Sequence, residues 1–193
     1  TLTGGTHQLT VNQRPLNATL ARQYDGTTAS AGSTLSSFDA LQGGETLTMT
    51  GSGTAASANV ANGIAMSSNG NLALADGTGA ASNYSLNSTV INVTQRPISV
   101  SGTRLYDATT NAVASDLSTH ANLVGSETLN LSGTGTIASK DVGSNKTVSV
   151  GTLALADGTN GGLAANYTLS GGTHQLTVNQ RPLNATLARQ YDG

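Results

Sequence analysis

Residues 5–26 read GTHQLTVNQRPLNATLARQYDG, and residues 172–193 read the same, letter for letter, 167 positions later. A second, more diverged repeat lies inside that long one. Gln-Arg-Pro occurs at Gln13-Arg14-Pro15, Gln95-Arg96-Pro97 and Gln180-Arg181-Pro182, spaced 82 and then 85. Tyr-Asp follows at Tyr24-Asp25, Tyr106-Asp107 and Tyr191-Asp192 with the same spacings. Other landmarks keep the register: Glu45–Gly51 with Glu127–Gly133, LALADGT from Leu72 and from Leu153, and Asn83-Tyr84-Ser85-Leu86 with Asn166-Tyr167-Thr168-Leu169. A period this long means tandem domain-sized units rather than one continuous fold. The spacing predicts two full units, 14–95 and 96–180, with 1–13 as the tail strand of a preceding unit and 181–193 as the first strand of a following one.

Within a unit the hydrophobic period is two. Leu16/Ala18/Leu20, Leu47/Met49, Leu129/Leu131, Ile98/Val100 and Leu176/Val178 each put apolar side chains on one face of a strand, with Thr, Ser or Asn on the other. Breakers at Asp25-Gly26, Gly43-Gly44, Asn62-Gly63, Asn69-Gly70 and Asp76-Gly77 cut the chain into short runs. In the first unit these predict about seven strands, near 16–23, 28–36, 45–51, 63–68, 71–75, 83–87 and 89–94. The best helical stretch, Ser36–Leu41, is short. Seven short strands in a unit of this size suit an all-β, Ig-like sandwich, and tandem sandwiches arranged end to end would form a rod. A β-solenoid is the main alternative, although solenoid coils repeat every ~20 residues, and a β-grasp unit is another.

Composition narrows the function. Charged residues make up only 9% of the chain and the net charge is −2, so no basic surface marks it for nucleic acid or anionic lipid. Cysteine is absent, which removes disulfides and thiolate metal sites. No run approaches the ~18 apolar residues of a membrane span.

The recurrent residues read as structure rather than chemistry. Tyr24, Tyr84, Tyr106 and Tyr167 sit in the Tyr-Asp and Asn-Tyr marks, as buried rings with a hydroxyl on a loop carbonyl or, alternatively, as glycan-stacking surfaces. Asp25 and Asp107 can accept from the backbone of the Thr-Thr pairs that follow. Ala108 stands where Gly26 stands in the first unit, and this predicts an ordinary turn without a left-handed residue. Pro15, Pro97 and Pro182 mark stiff joints between units. His7, His174 and His120 read as exposed or capping residues. No nucleophile–base pair, phosphate loop or D-x-D-x-D-G calcium loop appears, so neither catalysis, a cofactor nor a metal is expected. Eight N-x-S/T triplets, at Asn17, Asn83, Asn87, Asn92, Asn130, Asn145, Asn166 and Asn184, permit glycosylation without demonstrating it.

VNQRPLNATLARQYDGTT, GGETLTMTGSGT and ASKDVGSNKTVSVGTLALADGTNGGLAANYTLSGG resemble the YDG-type repeats of very large bacterial surface proteins, among them filamentous-haemagglutinin-like exoproteins of two-partner secretion systems. The first unit departs from the pattern, with Asn59-Val60-Ala61-Asn62 in place of Asp141-Val142-Gly143-Ser144 and no counterpart of Lys146. The resemblance implies tandem β-domains in the stalk of an adhesin outside a Gram-negative cell, with no catalytic residues to carry over. The expected function is that of a spacer projecting a distal adhesive domain for cell adhesion or biofilm formation. The alternative is a binding module for polysaccharide, a host protein or like repeats on another cell. The expected partners are neighbouring repeats of the same chain, with the end strands as candidates for self-association.

Overall fold

A computed structural model describes residues 3–193; the first two residues of the predicted 1–13 tail lie outside the described residues. The described residues are all-β, with eighteen strands, four one-turn 3-10 helices and no α-helix among them. The chain divides into two units after Gln95.

Unit 1 holds β1 (Arg14–Gln23), β2 (Ala29–Ala31), β3 (Leu35–Phe38), β4 (Leu47–Thr50), β5 (Ser52–Ala55), β6 (Ala61–Ser68), β7 (Ala73–Asp76) and β8 (Tyr84–Thr94). Unit 2 holds β9 (Arg96–Pro97), β10 (Ser99–Leu105), β11 (Asn111–Val113), β12 (Thr119–Ala121), β13 (Leu129–Ser132), β14 (Thr134–Ile137), β15 (Gly143–Ser149), β16 (Ala154–Asp157), β17 (Tyr167–Thr168) and β18 (Gln175–Asn179).

The two units have one topology. Unit 1 forms a curled six-stranded sheet in the order β2-β5-β6-β8-β1-β3 and a separate ribbon, β4-β7. Unit 2 repeats this as β11-β14-β15-β18-β10-β12 with the ribbon β13-β16, and adds the small pair β17-β9. Neighbours in the six-stranded sheets are antiparallel except for one inner pair, called here the central pair, in which a strand from the start of the unit lies parallel to the unit's last strand: β1 with β8, and β10 with β18. Parallel strands need a long crossover, and here the whole of the unit is that crossover.

The alternation seen in the sequence explains which face packs. Leu16, Ala18 and Leu20 of β1 are buried, as are Ile91 and Val93 of β8 and Ile98, Val100, Leu176 and Val178 in unit 2. Burying each of the larger side chains contributes roughly 1.5–3 kcal/mol before entropy is counted. The ribbon joins this core. Leu47 of β4 packs with Leu16 and Tyr84, and Phe38, Leu41 and Leu74 close around them. The chain crosses from ribbon to sheet at Gly51, whose φ is +79° and where a Cβ would stand 2.1 Å from the Asn71 carbonyl oxygen. Gly133 does the same in unit 2, at φ +84° and 2.1 Å from the Thr152 oxygen. No other residue satisfies both the conformation and the close approach.

Several expectations are corrected. The predicted strand at 28–36 is two strands, because the 3-10 turn Gly32–Thr34 carries the chain from one side of the sheet to the other, leaving β2 beside β5 and β3 beside β1. β5 is a strand the periodicity missed, since its buried positions are the small Gly53 and Ala55. The predicted strands 83–87 and 89–94 are one strand, β8. The helical candidate Ser36–Leu41 begins inside β3. Residues 181–193 match β1 in sequence from Arg14 onward, yet no strand forms there. In unit 1 the parallel partner of the matching segment is that unit's own last strand, β8.

Candidate functional site

The residues that recur most faithfully gather at the two ends of the central parallel pair. At the starting end Arg14 is registered with Tyr84, and at the far end Gln23 with Thr94.

At the starting end, Tyr84 is buried and its hydroxyl donates to Glu45 Oε2 at 2.5 Å while accepting from the Gln42 amide at 3.3 Å. Unit 2 copies this: Tyr167 donates to Glu127 Oε2 at 2.6 Å and accepts from the Val124 amide at 3.0 Å. The hydroxyl therefore binds a carboxylate and a backbone N–H, not a loop carbonyl. The Glu45 carboxylate raises the Tyr84 phenol above its ordinary value. The arginine of Arg-Pro supports the same loop, with Arg14 Nε donating to the Ala40 oxygen at 2.9 Å and Arg96 Nε to the Asn122 oxygen at 2.7 Å. A cleft of about 420 Å³ in unit 1 lies over Tyr84 and Glu45, walled in part by Val11–Arg14.

At the far end, an arginine and the Tyr-Asp mark tie a knot. Arg22 reaches Asp25 and the Thr27 carbonyl oxygen, and Asp25 Oδ1 accepts from the Thr27 amide at 2.9 Å and its hydroxyl at 3.0 Å. In unit 2, Arg104 reaches Asp107, the Thr109 hydroxyl at 3.0 Å and the Thr109 carbonyl oxygen at 2.6 Å. Both guanidinium side chains are under a tenth exposed, and the Nε of each is buried without a partner. Burial pushes the Asp25 carboxyl up, but the Thr27 amide and hydroxyl and the Arg22 charge outweigh it and hold it below its ordinary value. The Thr109 amide does most to lower Asp107, against burial and with help from the Thr109 hydroxyl and Arg104.

The residue after the aspartate is left-handed in both units: Gly26 at φ +76° and Ala108 at φ +65°. The ordinary turn expected from Ala108 is thus overturned. The Asp107 bonds to Thr109 and Arg104 impose the conformation, and alanine bears its steric cost.

Among the predicted marks, Tyr24, Tyr84 and Tyr167 are buried, Tyr106 is half-buried, and Asp25 and Asp107 tie the knots. Pro15 sits in β1 and Pro97 in β9, so the Arg-Pro marks belong to strands; Pro182 is exposed outside any strand. Both prolines stand at the first two residues of their strands, the place a strand tolerates one. His7 is exposed and His120 half-buried, but the expectation of an exposed or capping role fails for His174, which is buried, with Nδ1 accepting from the Val100 amide at 3.3 Å and Nε2 2.8 Å from the Leu169 oxygen. It fills a gap in a strand pair, a role no spacing in the sequence announces. Asn166, one of the glycosylation triplets, is buried. Among the described residues no group of three or more histidines and carboxylates is placed to hold a metal ion.

The sequence reading missed the arginines of the knots. Arg22, Arg104 and Arg189 recur at the spacing of the Tyr-Asp marks, two residues ahead of each tyrosine, and that recurrence was the available signal.

No curated protein and no solved structure matches the chain. The YDG domain family matches it twice in succession, over residues 7–91 and 92–175. These matches take in most of the chain and contain both knots and both tyrosine–glutamate pairs, so the chain belongs to the YDG domain family, as two consecutive copies.

Proposed function

We propose that this chain is a stretch of stalk: spacer repeats of a large bacterial cell-surface adhesin, outside the cell, that project a distal adhesive domain. One observation carries the reading. In each unit the first and last strands are parallel neighbours, so the chain enters at one end of the unit and leaves at the other. A unit built this way adds length along its strands with every copy. The shared core of Leu16, Tyr84, Leu47 and Leu74 supports treating sheet and ribbon as the two layers of an Ig-like sandwich. The recurrent polar groups are consumed in holding strand ends, which fits a mechanical part rather than a catalytic one.

Small-angle scattering on the 193-residue chain tests the reading. Two units end to end predict a rod of about 85–95 Å and a radius of gyration near ~26 Å. A value near ~16 Å, that of a single compact body of this length, would overturn it.

A further inference from the structure

The central parallel pair has a mechanical meaning. Tension applied through the chain draws β1 from its first residue and β8 from its last. Since β1 and β8 are parallel, those two points lie at opposite ends of the pair, and the load runs along the strands. All cross-strand hydrogen bonds then share the load, whereas a pair pulled apart from one end breaks them in turn.

We propose that the first-and-last-strand pair is a shear clamp that lets each YDG unit bear tension, with unit 1 the stronger of the two. In unit 1 the pair runs from Arg14↔Tyr84 to Gln23↔Thr94 with one register shift, between Leu16 and Asn17. Asn17 closes that shift, accepting from Asn87 Nδ2 at 2.9 Å and from the Ser88 hydroxyl at 2.6 Å. In unit 2 the pair is broken. Arg96 and Pro97 are registered with Tyr167 and Thr168, and pairing resumes only at Ser101↔Gln175, running to Leu105↔Asn179. The chain between bulges out at Leu169–Thr173, and Gly172 passes so close that a Cβ would stand 1.9 Å from the Ile98 oxygen. His174 bridges this break through Val100 and Leu169, and the Thr173 amide donates to Ser99 Oγ at 3.0 Å. The knot at one end and the tyrosine–glutamate pair at the other hold the clamp where load enters. The biological use of the clamp rests on the stalk reading, but the clamp itself does not. A chain that scatters as a compact body yet resists shear would keep the clamp and lose the stalk.

Single-molecule force spectroscopy tests it. The full chain has no cysteine, so handles can be attached at introduced ones. Pulled from its two ends, each molecule should show two unfolding steps, each lengthening the chain by about 25 nm, at clearly different forces. Forced unfolding reads the unfolding rate, so the stronger step belongs to the better clamp. His174→Ala should lower only the weaker step. If that variant leaves unit 2 unfolded, a single step at the higher force remains, and the assignment is the same. Moving the handles to Thr28→Cys and Gln95→Cys puts both at the far end of the β1–β8 pair and peels it, and unit 1 should then open at a several-fold lower force. Equal forces in the two geometries, or a His174→Ala effect on the stronger step, would overturn the proposal.

Discussion

Unit 1 and unit 2 assign their strands to the same positions, yet they close the central pair by different means. Unit 1 keeps β8 continuous and uses the amide side chain of Asn17 to absorb one irregularity. Unit 2 carries extra residues between Tyr167 and Asn179, splits the strand, and inserts a buried imidazole where unit 1 has the buried Thr89. The topology thus tolerates insertion within its central strand if a side chain replaces the lost backbone bonds. The two units also differ beside the pair: Asp39 fastens β3 to β1 through the Asn17 amide and side chain, while the corresponding residues of unit 2, Ala121 and Ser99, have no carboxylate between them.

The largest effect expected from breaking this comparison lies in the core. Leu16 and Leu183 occupy the same repeat position, one fully buried and the other 92% exposed. Leu16→Ala should cost unit 1 about 2–5 kcal/mol, and Leu183→Ala should change nothing beyond about 0.5 kcal/mol. Hydrogen exchange of the β1 and β10 amides, which resolves the units separately, measures both. A smaller loss follows in unit 2 from His174→Ala, which strips the Val100 amide and the Leu169 carbonyl of their buried partner. Roughly 1–3 kcal/mol is expected, seen in β10 and β18 exchange with β1 and β8 unchanged. Ala108→Gly should act in the opposite direction and stabilise unit 2 by about 1 kcal/mol, because it relieves a left-handed alanine; a urea midpoint that fails to rise would show that the knot does not strain that residue.

The smallest effect separates the units by acid. Asp25 and Asp39 of unit 1 are both held below their ordinary values, Asp39 chiefly by the Asn17 amide and side chain. A lowered carboxyl stabilises the fold above its unfolded value, near ~3.9, and that contribution disappears as pH falls through the folded value. Unit 2 has one such group, Asp107, and one of opposite sign: burial, with the Asp107 charge adding to it, raises Asp116 against the pull of Arg104. A raised carboxyl favours the fold as it takes up its proton, so it offsets part of the loss. Unit 1 should therefore weaken more than unit 2 between pH 7 and pH 3, and Asp39→Asn should narrow the gap in a denaturant titration at the two pH values.

Much of this architecture was legible from the chain alone, for identifiable reasons. Leu16/Ala18/Leu20 and Leu176/Val178 show period two because one face of each strand is buried and the other is wet. The unit repeat is visible because it is written in exact and near-exact copies. What escaped depends on contacts between distant residues. Nothing local in Arg14–Gln23 says that it lies parallel to a strand some 70 positions later. A Gly-Ser-Thr turn inside 28–36 leaves no hydrophobic trace of the change of side it makes. His174 is surrounded by Gly, Thr and Gln, and its burial follows from a gap that appears only when β17 and β18 are set beside β9 and β10. The Arg22, Arg104 and Arg189 series is different: it stood in the sequence at the right spacing and needed only to be read.

The identical stretch runs over 23 residues, 4–26 and 171–193; its first copy contains the first strand β1 and its second copy the last strand β18, so each copy carries the sequence of a last strand followed by that of a first. Recombination between the two copies, at any point within them, joins the same residues to the same residues. In an array that carries this 167-residue spacing between identical segments, such an exchange would add or remove the length of two units and leave the junction sequence unchanged.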